Sequence, residues 1–338
     1  MVTRSIGLGV VGAGRMGAIL ARAIVRDVPE ARLVGIADRD LRAARRLASE
    51  LSVEAVFGDA DELVHRSDVA GVVIAVSSAQ HLDVIRQAAS AGREIFCEKP
   101  LALTVVETEA AIAATAAAGV RLQVGFMRRF DAAYRRARRR LTAGAIGRPI
   151  MFTSLQFDPG APPIALADPA VSGGIHLDMG IHEYDLARWL MDDEVVEVHA
   201  WGSSIAYPEL AAVGDVDSAV VNLRYASGGT GSVKLARSAT SEDVRTEIVG
   251  ERGTIAIGRR PTTPRRSAGH ATAPAAGWGA GALRFDGAYV AELRAFVRSI
   301  LADTTVAVGG AEALAALRIA EAARRSMHEG RPIVVSAS

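Results

Sequence analysis

Cysteine is almost missing from this chain of 338 residues: Cys97 is the only one. A single thiol excludes an internal disulfide framework and a cysteine-clustered metal site, and makes the cytoplasm the default compartment. Lysine is nearly as scarce. Lys99 and Lys234 are the only two among 39 basic residues, the remainder being arginine. Under such a bias, a retained lysine marks a place where a compact ammonium is wanted and a planar guanidinium is not. Long apolar runs are absent as well, none approaching the roughly 18 residues of a membrane span. The apolar start MVTRSIGLGVVGAG lacks a convincing signal-peptide cleavage site and reads as a strand running into a turn. Excess charge is missing too: the formal net charge is +1 and half the residues are hydrophobic. That is an ordinary globular composition, long enough for two domains.

What is present begins with glycine. SIGLGVV is an apolar strand that runs into GAGRMG and then into AILARAIV, which has a helical pattern. Gly12, Gly14 and Gly17 thus form G-x-G-x-x-G at a strand-to-helix turn. The first glycine permits the tight turn, the second lets backbone approach a pyrophosphate, and the third lets helix pack on strand. A second strand, RLVGIAD, ends on Asp38, 21 residues after Gly17. An acid there is placed to hydrogen-bond ribose hydroxyls. A carboxylate repels a 2′-phosphate, so Asp38 favours NAD over NADP; Arg39 is the counter-signal, because an arginine beside that position can hold such a phosphate.

The alternation continues through the strand GVVIAVSS, the helix HLDVIRQAASAG and the strand REIFCEKPLALT. Open parallel sheets bind ligands at their strand ends. Ser77 and Ser78 end one strand, and Glu98, Lys99 and Pro100 end the next, where the proline can aim Lys99.

The stretch from 172 to 190, SGGIHLDMGIHEYDLARWL, gathers His176, Asp178, His182 and Asp185 from a chain with only seven histidines. Positions 178, 182, 185 and 189 share one helical stripe. Three readings stand: a proton-transfer pair, a metal site using His176, Asp178 and His182, and a structural cluster in a buried polar network.

AVSSAQHLDVIRQAASAGREIFCEKPLALT resembles the second half of the Rossmann domain in the Gfo/Idh/MocA oxidoreductase family. GFMRRFD, HEYDLARWL and RFDGAYVAELRAFV resemble its inositol 2-dehydrogenase branch. The resemblance runs from about residue 5 to residue 335. It implies Lys99, Asp178 and His182 as catalytic residues and no metal. It implies cofactor contacts from Gly12, Gly14, Arg15, Met16, Asp38, Arg39, Ser77, Ser78, His81 and Glu98. It implies substrate contacts from Lys99, Met127, Arg128, Asp178 and His182; Asp158, on the Pro-rich loop FDPGAPP, is read either as a further substrate contact or as a plain turn residue, and His176, which departs from the family's usually apolar or small residue, is added as a substrate-site candidate. The types suit alcohol oxidation: His182 takes the hydroxyl proton, Asp178 fixes the imidazole, and Lys99 holds the developing alkoxide, while the cofactor carries the hydride.

The expected architecture is an α/β N-terminal Rossmann dinucleotide-binding domain over 1–122. It is followed by an α+β substrate domain over 123–338 with a large open, mainly antiparallel sheet. AVVNLRYA, GTGSVKLAR and RTEIVG supply strands, and the helix 313–329 is expected to pack back on the first domain. The family's open sheet implies a homodimer or homotetramer. RRFDAAYRRARRRL has seven arginines, but Phe130, Ala133, Tyr134, Ala137 and Leu141 give it an apolar stripe, so an amphipathic helix is expected rather than a nucleic-acid contact. Residues 259–282 read as a long loop, in which His270 and Trp278 carry no assignment. Neither nucleic acid nor membrane is expected as a partner.

One departure stands out. Inositol dehydrogenases commonly carry a tyrosine-containing stretch just before the R-x-E-x-x-G strand, where this chain has Thr240, Ser241 and Glu242. Together with Asp158, Glu242 suits an amino-substituted polyol. The expected function is therefore NAD-dependent oxidation of a secondary alcohol of a cyclitol or sugar; an aminocyclitol or pyranose is the alternative substrate, and a dinucleotide-sensing regulator the non-enzymatic one.

Overall fold

The computed structural model describes residues 5–239, 241–258 and 285–336. The chain divides into two compact units, one of 1–131 with 286–315 and one of 132–285 with 316–338. The helix that returns to the first unit is Asp286–Leu301, whereas most of Gly310–Glu329 belongs to the second.

The first unit alternates strand and helix: β1 (Ile6–Val11), α1 (Arg15–Asp27), β2 (Ala31–Ala37), α2 (Leu41–Leu51), β3 (Val56–Phe57), α3 (Ala60–Val64), β4 (Gly71–Ile74), α4 (His81–Ser90), β5 (Glu94–Cys97), α5 (Val105–Ala118) and β6 (Leu122–Val124). The strands pair in parallel in the order β3-β2-β1-β4-β5-β6. This is the doubly wound dinucleotide-binding order, with its switch point between β1 and β4. All four residues of β4 are buried, as expected of a strand covered on both faces. Phe296 of the late helix meets Phe96 edge-on with ring centroids 6.0 Å apart, and Gln123 Nε2 donates to the Glu292 carbonyl at 2.9 Å.

The second unit contains α6 (Ala132–Thr142), β7 (Pro149–Phe157), the single-turn helices α7 (Ile164–Ala167) and α8 (Pro169–Ser172), a π-helical turn His176–Gly180 and α9 (Ile181–Met191). Strands β8 (Val195–Ser203), β9 (Ser218–Tyr225), β10 (Thr230–Ala236), β11 (Asp243–Gly250), β12 (Gly253–Ile257) and β13 (Ile333–Val334) complete it. The sheet order is β12-β11-β7-β10-β9-β8-β13, and every pair is antiparallel except β7 with β10. Alternate residues of β9 are buried, so one face is core and the other open. The arginine-rich helix begins at Ala132, later than its apolar spacing implies. Met127–Phe130 forms a tight 3₁₀ turn, and Ala133 faces outward while Tyr134, Ala137 and Leu141 are buried.

Candidate active site

The glycine turn is built for a ligand. Gly12 has φ +107°, and a Cβ there would strike the Ala75 carbonyl; a Cβ on Gly17 would strike the Gly12 carbonyl. Gly14 differs: nothing lies within 4 Å of where its Cβ would be. Helices α2, α3 and α5 are capped by the side chains of Asp40, Asp59 and Thr104, but α1 starts on Gly14 with no side-chain cap. Its first-turn N–H groups and the positive end of its dipole remain for an anion.

Asp38 follows β2 at the same edge. Its Oδ2 accepts from Ala13 N at 2.6 Å and its Oδ1 from Asp40 N at 2.7 Å, so the carboxylate cannot swing away. A cavity of about 560 Å³ within this unit is lined by Gly12, Gly14, Asp38, Arg39 and Ser77. Its wall also includes Asp59, Gln80, Asp83 and Arg86, which motif reading misses because their only local signature is a cap or a helix start. An uncapped α1, a cradle a Cβ would fill and a fixed acid at the second strand fit a dinucleotide, NAD in particular.

Other expected cofactor residues sit differently. Arg15 is exposed, Met16 and Ser78 are half-buried. His81 is buried, with Nδ1 2.8 Å from the Pro100 carbonyl and Nε2 3.2 Å from that of Val76. Burial lowers its pKa, so the neutral ring straps the loop after β5 to the loop after β4. Glu98 is buried and its Oε2 accepts from Lys99 N at 3.2 Å. Burial raises its pKa to about 7, against the pull of Lys99. Glu292 of the late helix is likewise pushed well up, first by burial and then by Glu98. Lys99 is half-buried, and its bond to Pro100 is cis. Met127 and Arg128 are both buried in the 3₁₀ turn of this unit.

The second unit holds Asp178 and His182. Asp178 lies in the π-helical turn and its side chain is 36% exposed, while His182, four residues on in α9, is buried. π-Helical turns recur at functional sites because they re-aim side chains. The neighbouring Glu183 is fully buried: Ser154 of β7 donates to its Oε2, and Ser154 and Tyr134 each bond Thr246, at 3.1 and 3.0 Å. This network anchors α9 to the sheet. Successive helical side chains diverge by about 100°, so holding Glu183 also sets the direction of His182.

His176, two residues before half-buried Asp178, is buried. It is 2% exposed, its Nδ1 lies 2.8 Å from the Tyr184 hydroxyl, and its pKa is lowered to about 3, chiefly by burial and then by Arg324, Arg237 and His328. It is a neutral core histidine. Asp158 ends β7, where Gln156 Nε2 donates to both of its carboxylate oxygens at 3.1–3.2 Å. Among the described residues no three His, Cys, Asp or Glu side chains are grouped to hold a metal ion. Thr240 lies outside the described residues, as do His270 and Trp278.

Two residues missed at the sequence level stand behind Asp178. Arg237, just past β10, donates from Nη2 to Asp178 Oδ2 at 3.3 Å and from Nη1 to Asp215 Oδ2. Asp215 Oδ1 accepts from Ile175 N at 2.9 Å, at the start of the helix that carries Asp178. Nothing in the local patterns ARS or GDVD advertises such contacts; they join segments 22 and 59 residues apart.

Comparison with known proteins agrees with this geometry. Residues 6–126 match the family model described as oxidoreductase family, NAD-binding Rossmann fold, and residues 134–256 match the GFO/IDH/MocA C-terminal domain. The chain is 36% identical to the scyllo-inositol 2-dehydrogenase (NAD(+)) of Bacillus subtilis (strain 168), over 96% of this chain and 94% of that protein. It is 34% identical to the myo-inositol 2-dehydrogenase of Thermotoga maritima, over 96% and 97%. The crystal structure of scyllo-inositol dehydrogenase from Lactobacillus casei with bound NAD(H) and scyllo-inositol superposes with a TM-score of 0.88 at 30% identity, covering 98% of this chain and 99% of that one. With an uncapped glycine turn and a fixed acid after the second strand in one unit, Asp178 four residues before His182 in the other, and matches to both family models, the chain belongs to the GFO/IDH/MocA oxidoreductase family.

Proposed function

We propose that this chain is an NAD-dependent dehydrogenase that oxidises a secondary alcohol of a cyclitol to a ketone, as an inositol 2-dehydrogenase does. The observation that carries the reading is the coexistence, on one chain, of a dinucleotide cradle and a charge-fixed aspartate four residues before a buried histidine. NAD, when bound, supplies the hydride acceptor. His182 takes the hydroxyl proton, Asp178 holds the imidazole and stabilises its cation, and Lys99 balances negative charge on the substrate oxygen.

A second substrate reading has its own support. Phe157 of β7 is in register with Asp243 of β11, and Ala239 N donates to the Asp158 carbonyl at 3.2 Å. Asp158 and Glu242 therefore sit at neighbouring strand ends, and two carboxylates there suit a polyol bearing an ammonium group. The open face of the second unit's sheet supports a homo-oligomer: Trp201 and Val220, register partners on β8 and β9, are 51% and 40% exposed. A cytoplasmic location goes with this reading, supported by the single cysteine.

The test is NADH absorbance at 340 nm over a panel of inositols, aminocyclitols and pyranoses. Turnover of a cyclitol is the expected result, and turnover restricted to amino-substituted members selects the second reading. No NADH from any member, with NAD binding intact, refutes both.

A further inference from the structure

We propose that Arg237 and Asp215 are positioning residues for alcohol oxidation: they fix the Asp178 carboxylate and set how much negative charge it presents to His182. The inference rests on the reading of Asp178 and His182 given above.

The geometry is a buried chain of alternating charge. The Arg237 side chain is 1% exposed and that of Asp215 3%, while Asp178 at the end of the chain is 36% exposed. The Arg237 fork grips one carboxylate with each terminal nitrogen, Nη1 on Asp215 and Nη2 on Asp178. Its Nε has no hydrogen-bond acceptor, so these two carboxylates carry the neutralisation of a buried guanidinium. Asp215 is itself fixed. Its Oδ1 takes Ile175 N, and its own N donates to the Leu210 carbonyl at 3.0 Å. Gly174, at φ +69°, passes so close that a Cβ would lie 2.9 Å from Asp215 Oδ1. Arg237 is held at its backbone, where its N donates to the Asp217 carbonyl at 2.8 Å.

Other charged groups face this helix from the elements packed against it. Glu183 is held by Ser154, Arg188 by Glu194, and Asp158 by Gln156; His176 bonds Tyr184 and is affected by Arg324 and His328 of the last helix and by Arg237 itself, and Asp185 is buried on α9. Arg237 is a cation that competes with His182 for the charge of Asp178, and Asp215 divides its attention.

The two residues therefore have opposite expected effects. Without Arg237, Asp178 presents its full charge and favours the imidazolium, so the acid limb of oxidation moves to higher pH. When Asp215 is neutralised, Arg237 pulls undivided on Asp178, and the limb moves to lower pH. A charge near an ionisable group moves its titration by about one pH unit.

The experiment measures kcat/KM against pH with NAD and the polyol turned over fastest in the panel, for the unaltered enzyme, Arg237→Gln, Asp215→Asn and Arg237→Lys. The expected result is an upward shift of about one unit for Arg237→Gln, a downward shift of about one unit for Asp215→Asn, and return toward the original profile with Arg237→Lys. Asp215→Asn keeps the acceptor for Ile175 N, so it carries the test even where Arg237→Gln fails to fold. Acid limbs that coincide with the unaltered enzyme's, while Asp178→Asn and His182→Ala still suppress turnover, overturn this inference alone. Near-normal turnover in Asp178→Asn and His182→Ala overturns the underlying reading and this inference with it.

Discussion

Replacing Asp38 by serine tests the cofactor assignment most directly, because the structure leaves that carboxylate no room to move. Both oxygens are tied to backbone N–H groups, from Ala13 at 2.6 Å and Asp40 at 2.7 Å. A 2′-phosphate in the ribose site would face a fixed negative charge. A pair of unit charges about 4 Å apart interacts by about 1 kcal/mol in water and about 4 kcal/mol at an effective dielectric constant of about 20. For a near-dianionic phosphate at a half-exposed site, about 2 kcal/mol is the low end, or about a thirtyfold weaker Kd for NADP than for NAD. Asp38→Ser removes that repulsion together with the charge-assisted ribose bonds, a loss of about 3 kcal/mol, so NAD binding should weaken by about a hundredfold. NADP should then bind within a few-fold of NAD. Titrations of NADH and NADPH followed by nicotinamide fluorescence measure both, with a melting curve to confirm that serine still caps Ala13 or Asp40. Tighter NADPH than NADH binding by the unaltered protein refutes the reasoning and turns attention to Arg39, which shares the cavity wall.

Three further outcomes are expected. Lys99→Met should lower turnover by about 10²–10³ with little change in NAD affinity, the scale of losing one donor to a developing oxyanion; near-normal turnover would return Lys99 to the status of a strand-end lysine. His182→Ala should cost about 10²–10⁴ in turnover with the fold intact. Asp178→Asn should both slow oxidation and move its acid limb to lower pH, whereas chelator-sensitive activity restored by added metal would contradict the acid–base assignment. His176, whose pKa falls from 6.5 to about 3 on folding, contributes stability that is complete above pH 6.5 and is lost as the pH falls toward 3. Between pH 7 and pH 5 that loss is about 2 kcal/mol. The urea midpoint of the unaltered protein should therefore drop more over this interval than that of His176→Asn, and parallel drops would show that His176 is already charged in the folded state.

How much of this was legible in the chain depends on the range of the interactions. The doubly wound unit is local physics repeated: apolar strands, helix periodicity, and glycines whose missing Cβ atoms each answer a steric demand within one strand-turn-helix. Asp38 is readable for the same reason, since a parallel sheet returns the end of β2 beside the end of β1. Asp178 and His182 were readable as candidates because they stand four residues apart at helical spacing. The fate of His176 was not. A histidine two residues from Asp178 looks like part of the same cluster, and only the packing of Tyr184 and the last helix buries it as a neutral core residue. The packing of Asp286–Leu301 in the first unit rests on long-range contacts, with Phe96 and Gln123 more than 160 positions away. Arg237 and Asp215 are the clearest case. Each stands in an unremarkable local pattern, and the charge chain through Asp178 forms only when β10, the 214–217 loop and the helix start converge. Sequence by itself determined the fold class, the dinucleotide turn and the chemically competent residue types, because those follow from steric and periodic rules acting over a few residues. Tertiary structure decided burial, and with it that His176 is a neutral core residue and that Arg237 and Asp215 hold Asp178 in place.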